Sequence, residues 1–197
     1  MSEDIYKQAC AHAIQNEYVE AAKLFKKAAD GGHTKAQYNL ALCLHEGLGG
    51  YQAHMEAFHY FKMAADAGHI RAHYMLGCYY TMKIVPFGTV EDGASHFKIA
   101  ADGGLDEAQY NYGVCLLEGK GALKSEEEAL KYLQMAADQG NSEALYNLGV
   151  CTYEGRGVEP NENKAIQHLE KATSKGHPDA SAALTKILKG SLSKSLS

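Results

Sequence analysis

The chain has 197 residues and a formal charge of −5, and its 19 basic residues are spread without forming a Lys/Arg stripe. That pattern argues against phosphate-backbone binding as the main activity. The opening MSEDIYKQAC lacks a charged leader followed by an apolar run, and no stretch of about 18 consecutive apolar residues occurs anywhere. The expectation is a cytoplasmic protein with no nucleic-acid partner and no membrane insertion. Five cysteines are present, and Cys43, Cys115 and Cys151 share one repeated position. Neighbouring copies then lie one or two helix-packing distances of about 8–10 Å apart. This is too far for disulfides and fits reduced thiols in a reducing compartment.

Residues 3–15 and 17–30 read as two helices joined by a short turn near Asn16. The second carries AAKLFKKAAD, in which Tyr18, Ala21, Ala22, Phe25, Ala28 and Ala29 recur at helical spacing on one face. From there the pattern repeats without drift: Ala36, Ala72, Ala108, Ala144 and Ala180 stand 36 residues apart, as do Tyr38, Tyr74, Tyr110 and Tyr146. A period of roughly 20–50 residues marks an array whose units cannot bury their apolar faces alone. First helices are expected over about 34–47, 70–83, 106–119, 142–155 and 178–189. Second helices are expected over about 54–67, 91–102, 126–139 and 162–175. Thr34 with Gln37, and Asp106 with Gln109, have the spacing of a capping box. Pro178 suits a first helical position, and His33, His69 and His177 suit a cap at a repeated turn.

The expected architecture is all-α: a right-handed α-solenoid of antiparallel helix pairs, forming one domain over 1–189. Its parts are a first pair (1–32), repeats at 33–68, 69–104, 105–140 and 141–176, and a capping helix (177–189). The Ser-rich segment 190–197 is expected to be disordered. Gly47–Leu48–Gly49, Gly119–Lys120–Gly121 and Gly155–Arg156–Gly157 mark the loop inside a unit. The second copy breaks this rule with KIVPFGT at 83–89, where an exposed Val85–Pro86–Phe87 bump is expected, either as local variation or as a specialised contact.

A unit written AxAQYNLGxxxxEGxG followed by xxEEALKYLxxAADxG resembles the Sel-one-like repeat, a relative of the tetratricopeptide repeat. The match covers about residues 31–188. It rests on Ala108, Tyr110, Gly113, Gly119 and Gly121, then Ala129, Tyr132, Ala136, Ala137 and Gly140. Departures are the second unit's loop and Gly93, which stands where Ala is expected, and the first pair is closer to a tetratricopeptide pair. The resemblance implies a scaffold or adaptor rather than an enzyme. Some cysteine-rich relatives have been linked to binding or hydrolysing β-lactams, but those resemble disulfide-stapled proteins with paired cysteines in each repeat, whereas this chain has one per repeat. A self-associating structural solenoid is the other alternative, and the amphipathic end at Ala182, Ala183, Leu184, Ile187 and Leu188 argues for a monomer instead.

On a helical wheel Ala36, Leu40 and Gly47 fall on the core side and a second stripe lies opposite. In a solenoid of this kind that stripe lines the concave face. It reads Lys35, Asn39, Leu42 and Glu46; Arg71, Met75, Cys78 and Met82; Glu107, Asn111, Val114 and Glu118; Glu143, Asn147, Val150 and Glu154. Recurring Asn amides, which both donate and accept, could clamp the backbone of an extended protein or peptide partner. The Glu residues favour basic side chains on it. The alternative is that these residues are a solvated face and part of the repeat's own wiring. No cofactor or metal is expected: His69 and His73 stand four apart on one helix without an evident third ligand. The Gly-x-Gly loops follow no strand and lack the Lys-Ser/Thr of a phosphate-binding loop.

Overall fold

The computed structural model describes the backbone of residues 2–195 and the side chains of residues 2–190. Among these are eleven helices and no strand: α1 (Ser2–Ile14), α2 (Tyr18–Asp30), α3 (Thr34–Glu46), α4 (His54–Asp66), α5 (Ile70–Thr81), α6 (Val90–Asp102), α7 (Asp106–Glu118), α8 (Glu126–Asp138), α9 (Ser142–Glu154), α10 (Glu162–Ser174) and α11 (Ala180–Ser195). The fold is of the α-solenoid class, built from helix pairs, and it divides into two compact units after Ile99.

The local chemistry explains why the helices begin and end so regularly. Ser125, Asn141 and Asn161 accept hydrogen bonds from the main-chain N–H of Glu128, Ala144 and Lys164 at 3.3, 3.0 and 2.9 Å, satisfying donors that an α-helix leaves open. At the other end of the first helices, Gly47, Gly119 and Gly155 take left-handed backbone and donate to the carbonyls of Cys43, Cys115 and Cys151. The next residues, Leu48, Lys120 and Arg156, return to the same three carbonyls at 2.8, 3.0 and 2.9 Å. The chain reverses there because glycine pays no Cβ penalty.

The capping boxes do not form. His33 is the N-cap of α3 and accepts from the Ala36 N–H at 3.2 Å, which makes Thr34 the first helical residue. Gln37 and Gln109 are buried, and their side-chain amides donate back to the carbonyls of Ala29 and Ala101, closing the preceding helix. A Gln at that spacing therefore serves the C-terminus before it and not the N-terminus beside it.

In the unit up to Ile99 the core contains Phe25, Phe61, Leu76 and Tyr79, with alanines such as Ala36, Ala64 and Ala72 letting backbones approach. In the unit from Ala100 onward, Leu133 and Leu169 take the place of the phenylalanines and are equally buried. Burying each such side chain contributes about 1.5–3 kcal/mol, which is why an apolar residue recurs at this register.

The aberrant loop differs from its expected shape. Val85 is buried, whereas Pro86 and Phe87 are exposed, and the Phe87 ring packs edge-on against Phe58 with centroids 5.2 Å apart. Lys83 keeps the left-handed turn at φ 54° without glycine. The bump is thus Pro86–Phe87 only, because Val85 turns inward to fill the core. At the C-terminus α11 continues through Ser195, so most of the segment expected as a tail has helical backbone. The last two residues of that segment lie outside the described residues.

Candidate functional site

The stripe occupies the first helix of each pair. Lys35, Glu46, Arg71, Met82, Glu118, Glu143 and Glu154 are exposed, whereas Asn39, Leu42, Met75, Glu107, Asn111, Val114, Asn147 and Val150 are half-buried, as is Cys78. The flanking core positions Leu40, Cys43, Leu116, Cys115, Leu148 and Cys151 are buried. Each stripe therefore has a charged rim and, except around Met75, a recessed Asn/aliphatic floor. Around Met75 and Met82 the floor is sulfur-rich and the rim holds Arg71, a softer and more adaptable surface.

Part of the Asn ladder is engaged in the repeat's own wiring. Asn39 donates to the Tyr6 hydroxyl at 3.4 Å, and Asn147 stands near the Tyr110 hydroxyl of the preceding pair, offsetting part of the rise that burial causes there. Asn111 instead donates to the carbonyl of Glu107, one turn earlier in its own helix, at 2.9 Å. These contacts hold the amides of the stripe in place.

The turn histidines stack on the tyrosines of the same ladder. His33 lies on Tyr6, His69 on Tyr38 and His177 on Tyr146, with centroids 4.4, 4.3 and 4.2 Å apart. His33 and His177 also reach Glu3 and Glu143 at 2.9 and 3.0 Å. His177 further accepts from the Asp179 N–H at 3.1 Å, whereas His69 makes no capping bond. Where Glu stands beside His33 and His177, Lys35 stands near His69. Burial first, then Lys35 and Arg71, hold the His69 imidazole below its ordinary value. The Tyr38 and Tyr146 stacks were open to detection, since these tyrosines and the histidines recur at the 36-residue interval, whereas Tyr6 lies off it.

A second histidine pair carries no signal of that kind. His73 does not combine with His69 but with His96, their Nδ1 atoms 2.9 Å apart between α5 and α6, and His96 stacks on Tyr80. Their 23-residue separation follows no helical rule. Burial depresses both imidazoles; the Ala65 carbonyl and Asp66 partly offset this at His73, while His96 feels His73 and Lys62 against Asp92 and Asp66. A lowered folded-state value means that below the ordinary 6.5 the unfolded chain takes up protons that the native pair resists. Stability then falls as the pH drops from 6.5 toward the native values. The expected result is a melting temperature, followed by circular dichroism, that declines from pH 7 to pH 5 and declines less in the His73→Gln/His96→Gln double variant. Parallel declines in both proteins would remove the pair from the account.

The exposed Phe87 loop borders a cavity of ≈ 500 Å³ lined in part by Tyr80, Lys83, Pro86, Thr89 and Glu91. The cysteines are free, and burial raises the thiols of Cys43, Cys78, Cys115 and Cys151. That favours the inert thiol over the nucleophilic thiolate. Among the described residues no group of three or more His, Cys, Asp or Glu side chains is placed to hold a metal ion, and no helix is long and apolar enough to cross a membrane.

Known proteins give this geometry a context. The Sel1 repeat model matches residues 13–33, 34–69, 106–141 and 142–177, leaving between them the stretch that carries the altered loop. The first match extends the repeat into α1 and α2, beyond the limit set by the loop motif. No curated protein matches the sequence. Among solved structures, a Sel1 repeat protein from Oxalobacter formigenes is 32% identical with a TM-score of 0.77, over 86% of this chain and 49% of that one. A protective antigen from uropathogenic Escherichia coli is 29% identical with a TM-score of 0.75, over 81% of this chain and 34% of that one. An immunity protein from Pseudomonas aeruginosa is 25% identical with a TM-score of 0.53, over 91% of this chain and 66% of that one. The chain thus spans between a third and half of the first two. Proteins built from these repeats generally mediate protein–protein interaction and are generally non-enzymatic scaffolds. With four matched repeats covering well over half its length, the chain belongs to the Sel1 repeat family.

Proposed function

We propose that the protein is a non-catalytic adaptor that binds an extended peptide or protein segment along the stripe of its first helices. The observation that carries this reading is the recessed Asn and aliphatic floor between charged residues, seen at Asn39 and Leu42, at Asn111 and Val114, and at Asn147 and Val150. An amide ladder pairs with a peptide backbone, aliphatic neighbours cover its side chains, and Glu46, Glu118 and Glu154 favour a basic partner. The free, largely buried thiols suit action in a reducing compartment.

The test is affinity capture from the native cell, followed by titration of the recovered partner into wild-type protein and into an Asn111→Ala/Asn147→Ala variant. Loss of two clamp bonds should weaken binding by about ten- to a hundredfold, since each net hydrogen bond contributes about 0.5–1.5 kcal/mol. Unchanged affinity with intact helicity would remove the stripe as the binding surface.

A further inference from the structure

Exposed apolar side chains in the unit up to Ile99 are not scattered. Among its described residues, every exposed large apolar side chain except Ile99 stands in or beside a turn that joins the first helix of a pair to the second. Ile14 and Val19 flank the turn between α1 and α2. Leu48, Tyr51 and Met55 lie between α3 and the first residues of α4, and Met82 and Phe87 lie between α5 and α6. Ile14, Tyr51 and Met82 are 82, 75 and 71% exposed, so most of each side chain is in water. Single exposed apolar residues are ordinary, whereas a set gathered in one kind of place marks an interaction surface.

The three turns adjoin. A Cβ at Gly49 would collide with the main chain of Tyr18, so the second turn presses on the start of α2 beside Val19. Phe87 of the third turn packs edge-on against Phe58, with centroids 5.2 Å apart, and Met55 precedes Phe58 by three residues on the same face of α4. The apolar side chains therefore form one edge. The cavity of ≈ 500 Å³ bordered by Phe87, Pro86, Val85 and Tyr80 gives that edge a socket. Charge along it is one-sided: Glu17, Glu46 and Glu91 are exposed, and Lys83 is the single exposed cation among the described residues of the three turns. Methionine and aromatic side chains are enriched where proteins meet, and an acidic border selects basic flanks on what meets it.

We infer that the turn edge of α1 to α6 is a docking surface for an amphipathic helix of a second partner protein. Its apolar face lies on Val19, Tyr51, Met55 and Phe87, and its lysines or arginines lie toward Glu17, Glu46 and Glu91. One leucine- or phenylalanine-sized side chain enters the socket beside Phe87. A helix suits the spacing: successive turns stand at least one helix-packing distance of about 8–10 Å apart, and a helix returns a side chain to the same face after seven residues, about 10 Å along its axis. The edge does not depend on the Asn111 and Asn147 stripe. An adaptor with both surfaces holds two partners at once.

The experiment titrates the full chain with a fluorescent, N-acetylated peptide of about 14 leucines and lysines whose leucines share one helical face, and with its counterpart carrying glutamate for every lysine. The lysine peptide should bind saturably and at least about tenfold more tightly than the glutamate peptide, a difference of about 1.4 kcal/mol. Tyr51→Ser/Met55→Ser removes exposed side chains, so the fold should be kept by circular dichroism while binding falls at least about tenfold. Glu17→Lys/Glu91→Lys should weaken binding and flatten its dependence on sodium chloride. Asn111→Ala/Asn147→Ala should bind the peptide as the wild-type protein does. Absence of saturable binding, undiminished binding by Tyr51→Ser/Met55→Ser, or a loss in Asn111→Ala/Asn147→Ala would overturn the edge. A concentration-dependent doubling of mass in light scattering, abolished by Tyr51→Ser/Met55→Ser, would give the edge to a second copy of the chain and overturn the second partner.

Discussion

Replacing Gly157 by alanine is expected to lower stability by about 2–5 kcal/mol, read as a shift in the urea midpoint at constant slope. Two costs combine at this position. The backbone is left-handed at φ 69°, where a Cβ is unfavourable by about 1–2 kcal/mol. A Cβ would also lie 2.6 Å from the main-chain carbon of Glu126 and 2.7 Å from its oxygen, at the start of α8. Main chain cannot rotate away as a side chain could, so overpacking adds about 1–3 kcal/mol. Gly176 provides the control: its φ is 83°, yet a Cβ there would meet nothing within 4 Å. Gly176→Ala should therefore show the conformational cost alone. Equal losses at the two sites would mean that the loop does not press on the neighbouring pair.

Phe61→Ala should cost about 3–5 kcal/mol in the same measurement. The ring is fully buried, with Tyr79 edge-on at 5.6 Å and Tyr38 tilted at 5.8 Å between centroids. Its removal leaves a void bounded by helices held at fixed separation through Ala36, Ala64 and Ala72, so collapse is restricted. Phe61→Leu should be milder, about 1–1.5 kcal/mol, because the array already accepts leucine at the same register in Leu133 and Leu169. A loss below about 1 kcal/mol for the alanine variant would show that α4 can settle into the gap.

Helix positions were readable because the period places every unit in the same phase, and observed boundaries mostly fall within a residue or two of those expected. That Leu40 is buried and Asn39 only half-buried was readable for the same reason, since the 3.6-residue turn fixes the wheel that separates them. Elsewhere a residue type had two uses and periodicity could not choose between them. Gln37 and Gln109 have capping-box spacing but bond backward, a choice made by the position of the preceding carbonyl. Val85 sits in a segment that reads as a loop, and only the packing around Phe58 and Tyr79 shows it turned inward. The His73–His96 contact joins two helices at unlike phases, so no spacing rule signals it.

The side-chain bonds between neighbouring pairs share one property: their reach. Asn141 with Asp106 and Gln139 with the Gly104 carbonyl span 35 residues, and Tyr60 with Asp30, Tyr132 with Asp102 and Arg156 with Glu126 span 30. None of these ties extends beyond an adjacent copy. Gene duplication or loss of one whole period would therefore disturb only the ties at the junctions it touches, because no bond reaches past them. Length in such a chain is an inheritable variable, and each junction can carry its own set of ties, as Arg156–Glu126 and Asn141–Asp106 do.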